Sequence, residues 1–250
     1  MAARIPLRPW LEHLRLHLGV LTEEVTPASV HQLRVALARL RVWVLLADDD
    51  ALGAEIRWLR RAAATVRDLD VQLSQPAMPP SLAVELRKER ATAAKALSRV
   101  MRGARAAALL SSLERVKPLT ARRVVRKTGR LAQKALLRGD VLVAGDWEAM
   151  HAFRRAVRRV RFALEWSGAD RPECFVDLQS RLGDLNDLQM AIERAKRAPA
   201  TRPVLAYRRA LREALVDAER RALTAWPLVR VALACMREDD ASARTRSDRR

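Results

Sequence analysis

Two histidines each open a row of arginines. His31 precedes Arg34, Arg39 and Arg41, and His151 precedes Arg154, Arg155, Arg158, Arg159 and Arg161. The stretches 31–41 and 151–161 share His, Arg, Arg and Arg at offsets 0, 3, 8 and 10, and they begin 120 residues apart. A guanidinium offers a planar fork of donors that matches the oxygens of a phosphate or carboxylate, and an imidazole adds a donor that titrates near neutral pH. Several such groups on one face would grip an anion by charge-assisted hydrogen bonds. Helical geometry supplies that face. At about 100° per residue from His151, Arg154 falls near 300°, Arg158 near 340°, Arg161 near 280° and Arg155 near 40°, opposite Phe153, Val157, Val160 and Leu164. Measured from His31, Arg34 and Arg41 fall near 300° and 280°, opposite Leu33, Leu37, Leu40 and Val44, while Arg39 points elsewhere, near 80°.

Arg57, Arg60, Arg61 and Arg67 form a third ridge, converging within about 120° of arc. Arg122, Arg126 and Arg130, and Arg208 with Arg212, also show helical spacing, against less regular apolar partners. A charge run on a helix is ordinarily a solvated face, but such faces mix signs because oppositely charged pairs at i,i+4 favour them. These ridges hold almost no acids. Glu165, four residues after Arg161, is the main exception and is placed to hold that guanidinium. The formal net charge is +19. A coding bias would explain arginine over lysine, which occurs only at 88, 95, 117, 127, 134 and 196. It leaves the shortage of acids unexplained. So large an excess implies a polyanionic partner such as nucleic acid, an anionic membrane or a polyphosphate. Neighbouring arginines should lower the pKa of His31 and His151, and a bound polyanion should raise it.

No catalytic constellation accompanies the rows. The chain has no Gly-rich phosphate loop, HExxH pair, nucleophile elbow or alternating Glu-x-Glu-x-Lys strand. Asp68, Asp70, Asp184 and Asp187 have the chemistry of metal ligands, but carboxylates among arginines more often form ion pairs or helix caps, which is the reading adopted. Cys174 and Cys235 lack partners at ligand spacing, so neither zinc nor a disulfide framework is expected. The expectation is a protein that is not an enzyme and uses no cofactor or metal.

The elements that position the rows should be helices. Gly is scarce, only one Tyr and three Phe occur, and Ala, Leu, Arg and Glu dominate. Breakers and caps predict helices over about 9–24, 29–47, 50–73, 80–115, 118–138, 146–167, 172–196, 202–224 and 226–236. An acidic element follows each row: Arg67-Asp68-Leu69-Asp70-Val71-Gln72 after the first, and Asp184-Leu185-Asn186-Asp187-Leu188-Gln189 after the second. Asp70 and Asp187 lie 117 residues apart, so the whole half repeats. The predicted fold is all-α: two helical bundles related by internal pseudo-twofold symmetry, with halves of about 4–116 and 117–236. The charged stretch 237–250 is expected to be a disordered tail. Pro6 and Pro9 interrupt any leader, and no apolar run approaches the length that spans a bilayer, so a cytoplasmic location is expected.

These residues resemble the CHAD family, the conserved-histidine α-helical domain, over nearly the whole chain from Arg4 to Met236. The carriers are His31-x-x-Arg34-Val35 through Leu40-Arg41, Arg67-Asp68-Leu69-Asp70-Val71, His151-x-x-Arg154 through Arg158-Arg159-Val160-Arg161-Phe162-x-x-Glu165, and Leu182-Gly183-Asp184-Leu185-Asn186-Asp187. The resemblance implies two symmetric bundles whose basic residues line a central groove or pore and bind inorganic polyphosphate. Some family members are linked to polyphosphate or polyhydroxyalkanoate granules, which extends that association to this chain as an expectation. Ala38 stands where the family commonly has the first Arg of a pair, and Phe162 where it commonly has Tyr. Nothing within these 250 residues resembles a companion triphosphate tunnel domain. The alternative partner is nucleic acid, which base stacking on exposed aromatics would favour, yet the ridges contain almost none. A polyphosphate phosphatase or kinase is the third reading, without a nucleophile or metal constellation to support it.

Overall fold

The computed structural model describes residues 4–139, 147–169 and 173–247, with side chains described at 4–139, 149–169 and 173–236. The elements run β1 (Arg4–Ile5), α1 (Arg8–Glu23), α2 (Pro27–Ala47), α3 (Asp50–Ala62), α4 (Ala64–Leu73), α5 (Pro80–Met101), α6 (Ala104–Glu114), β2 (Leu119–Thr120), α7 (Ala121–Gly139), α8 (Trp147–Ser167), α9 (Glu173–Arg197) and α10 (Arg202–Ser247). The two short strands pair with each other; otherwise the described chain is helical, as the composition dictates.

Local chemistry sets several ends. Thr26 and Ser29 form a reciprocal capping box ahead of α2, with Pro27 in the first turn. Asp48 closes α2 in the left-handed conformation, φ 59°, and the Asp49 carboxylate accepts the Leu52 backbone N–H to start α3. Three boundaries differ from expectation. The segment 50–73 is two helices that break at Ala63, and 80–115 is two that break at Arg102-Gly103. Conversely, 202–224 and 226–236 are one helix with Pro227 inside it. That helix also continues to Ser247, through residues expected as a disordered tail, because extending an existing helix avoids the cost of nucleating a new one.

The chain divides into two compact units, neither continuous in sequence. One, the His31 unit, comprises Pro6–Leu119 with Glu193–Arg208; the other, the His151 unit, comprises Met1–Ile5, Thr120–Ile192 and Arg209–Arg250. In the His31 unit α1 lies on α2, α2 on α3 and α4 on α5. Leu14, Leu21, Leu33, Leu37, Leu40, Trp43, Ile56, Leu59 and Leu86 are fully buried there. In the His151 unit the core gathers Phe153, Val157, Val160, Phe175, Leu178, Trp226 and Val229. Phe153 and Trp226 meet edge to face, ring centroids 4.9 Å apart. Gly139 ends α7 against that indole: a Cβ there would lie 1.9 Å from a Trp226 ring carbon. Both arginine rows thus sit on helices whose opposite faces are anchored as the angular reading requires.

Candidate anion-binding site

In the His31 unit, α2 and α4 bring three basic side chains to one place. Arg67 of α4 and Arg34 of α2 both act on the His31 ring, which is exposed at its outer edge, and with partial burial they hold its pKa below the usual value. Burial is the larger cause. The Arg34 guanidinium also reaches the Arg60 carbonyl at 3.5 Å, where the negative end of the α3 dipole favours it. α2 and α4 therefore bring His31, Arg34 and Arg67 together, α3 contributes the Arg60 carbonyl, and Arg57 stays on α3 with its guanidinium over Gly53. Arg61 is exposed and Arg41 half-buried. Arg39 faces away, as its angle predicts: its guanidinium stacks 4.1 Å from the centre of the Trp10 ring on α1.

In the His151 unit, Arg155, Arg154 and Arg158 surround the imidazole. Burial first, then these three charges in that order, lower its pKa, against a hydrogen bond with Asn186 that raises it. Arg154 is half-buried. It lines a small hollow with Met150, His151, Leu182 and Leu185 between α8 and α9, and its Nε is buried without a hydrogen-bond partner among the described residues. Burial lowers its pKa, and nearby Asp187 and Asp184 offset part of that loss. A buried N–H lacking an acceptor is costly, so folding holds this guanidinium in place against a penalty. Arg159 is held down by burial and by the like charges of Arg138 on α7 and Arg155. Arg138 was not among the expected residues. The signal for it lay in the i,i+4 progression Arg122, Arg126, Arg130, Lys134, Arg138 along α7.

Two expected residues have their donors directed elsewhere. Arg208 is a helix cap: its Nε donates to the Ala195 carbonyl at 2.9 Å, and its Nη2 to those of Lys196 at 3.2 Å and Ala198 at 2.8 Å. It closes the exposed end of α9, so it leaves the candidate set. Arg161 donates to Gln179 at 2.6 Å and to Glu165 at 3.4 Å, and lies 5.2 Å from the centre of the buried Phe162 ring. It braces α8 against α9, with Glu165 holding it as the spacing suggested. Arg122, Arg126 and Arg130 lie on α7 and Arg212 on α10, all four exposed. Of the acidic residues, Asp70 is an ion-pair partner, 2.6 Å from Arg90 Nε and buried. No cluster of three or more His, Cys, Asp or Glu able to hold a metal occurs among the described residues. Cys174 and Cys235 are free thiols.

The arrangement has the donors and charge to bind an extended anion. The CHAD domain model matches residues 7–196. Two solved structures share the fold. One is the CHAD domain from the plant Ricinus communis, at TM-score 0.70 and 22% identity, covering 94% of this chain and 93% of that one. The other is PptA from Streptomyces chartreusis, at TM-score 0.70 and 17% identity, covering 88% and 96%. No curated protein matches the chain.

Proposed function

The chain belongs to the CHAD family, and from that premise we propose that it binds inorganic polyphosphate on its arginine and histidine rows without catalysing a reaction on it. The observation that carries this reading is the convergence of His31 and Arg34 from α2 with Arg67 from α4. Like charges cost free energy when gathered by folding, and Arg67 and Arg34 both push that imidazole toward its neutral form. A chain of phosphates offers one negative oxygen after another and suits such rows. His151, Arg154, Arg155 and Arg158 form the second row, with Arg138 and Arg159 beside it.

Nucleic acid fits the same charge less well. No aromatic side chain among the described residues is exposed: Trp43, Trp166 and Trp226 are buried, Trp10 is covered by Arg39, and Trp58 by Arg105. Base stacking therefore lacks a platform. The test is a competition titration of polyphosphate against single- and double-stranded DNA at matched phosphate and about 0.15 M salt. Polyphosphate should win by more than tenfold, and His31→Ala/Arg34→Ala and His151→Ala/Arg154→Ala should each weaken it. Equal affinities would reduce the binding to generic counterion release.

A further inference from the structure

A second surface of the His151 unit lacks the features of an ordinary solvent face. Between Ala222 and Met236, α10 contains one charged residue, Arg230, and no acid. Its inner side, Trp226, Val229 and Leu233, belongs to the core, yet its outer side is also apolar. Leu223 is 43%, Leu228 68% and Val231 63% exposed, and Leu137 of α7 is 74% exposed. α7 and α10 enclose a shallow hollow of about 420 Å³ there, lined by Leu136, Leu137, Arg230, Val231 and Ala234. Lys134 and Arg130, three and seven residues before Leu137, lie on its side of α7, and α7 carries no Asp or Glu. A helix apolar on both sides signals a face that is covered.

We propose that this face docks on an anionic lipid bilayer, with Leu137, Leu228 and Val231 entering the acyl boundary while Lys134 and Arg230 meet lipid phosphates. Apolar side chains rimmed by cations with no acid among them are the pattern of an interfacial helix. A second copy of the chain suits the face poorly, because each copy brings Arg230, Lys134 and a net charge of +19 against its like. A purely ionic partner leaves Leu137, Leu228 and Val231 in water. The polyphosphate rows proposed above contain none of the five docking side chains, so the two activities can be lost separately.

The experiment is co-sedimentation with vesicles of phosphatidylcholine alone or mixed with phosphatidylglycerol, at about 0.15 M salt. So basic a chain will approach any anionic surface, and the decisive comparison keeps the charge constant. Leu228→Gln/Val231→Gln should weaken partitioning to the mixed vesicles by about tenfold or more, since two aliphatic side chains no longer leave water. Leu137→Gln on the other helix should act in the same direction, which guards against a misfolded double variant. Polyphosphate affinity should not change in either. Equal partitioning of wild type and both variants would overturn the proposal. So would a solution dimer that Leu228→Gln/Val231→Gln dissolves, because that assigns the face to a second copy.

Discussion

At the scale of single residues, the two histidines set how binding should respond to pH. His31 and His151 have pKa values below the ordinary value of about 6.5, so both are neutral at pH 7 in the free chain. A phosphate chain favours the imidazolium and raises the pKa of each ring in the complex. Affinity should therefore rise as pH falls through the bound-state values and level off below the free-state ones. Calorimetry between pH 8 and about 5.5 should register proton uptake, and His31→Ala/His151→Ala should flatten the profile. Stability of the free protein runs the other way. His17 is also lowered, by burial and by His13, so all three rings bind protons more readily in the unfolded chain. Their contribution is full above about 6.5 and is lost as pH falls through the folded-state values, which thermal melts with and without polyphosphate should separate by opposite slopes. Arg155 isolates binding from folding. It is exposed and acts on both His151 and Arg159, so Arg155→Glu should weaken polyphosphate binding about tenfold or more while moving the melting midpoint by less than about 2 °C.

At the scale of elements, one ion pair ties the helix bearing Arg67 to its neighbours. Arg90 on α5 reaches Asp70 on α4 at 2.6 Å and the Val25 carbonyl before α2 at 2.9 Å. Asp70→Ala strips a half-buried guanidinium of its carboxylate and should cost about 3 kcal/mol, read as a lower denaturant midpoint. Element type was legible in composition and periodicity, and the anchoring faces of α2 and α8 were legible in spacing. The break at Ala63 was not, although Gly103 did mark the one between α5 and α6. Ala62-Ala63-Ala64 carries no Gly, Pro or cap, so the division of α3 from α4 comes from packing, which leaves no local mark. Pro227 misled in the opposite sense: α10 runs through it, and the burial of Trp226 and Val229 on either side offsets the lost hydrogen bond and the ring's clash with the preceding turn. The same limit governed the site. Arg34 beside His31 could be read from an i,i+3 spacing, but the approach of Arg67 depends on how α4 crosses α2. The capping role of Arg208 likewise required knowing that α9 ends beside it.

At the scale of the whole molecule, the charge of +19 acts on folding and binding with opposite signs. Screening relieves repulsion within the folded chain and competes with the phosphate oxygens. Raising salt from about 0.05 to 0.2 M should therefore raise the melting midpoint of the free protein and weaken polyphosphate binding. If six or more cations engage the chain of phosphates, the logarithm of affinity should fall with the logarithm of salt at a slope steeper than about −4. A weaker slope would mean that fewer side chains take part than the rows contain.

The discontinuity of the units bears on how the protein is made. The His31 unit needs Glu193–Arg208 as well as Pro6–Leu119, and Arg194 from that late segment pairs with Glu89. During synthesis from the N-terminus, the unit begun first stays open while the ribosome adds nearly all of Thr120–Ile192 to the other. Its helices α1 to α6 can form on emergence, yet their last partner arrives some 70 residues later, counted from Leu119 to Glu193. The two units therefore do not correspond to the first and second halves of the sequence. A nascent chain stalled near residue 130 would expose the α5 surface that Arg194 later meets, leaving it to a chaperone or to solvent until translation passes Arg208.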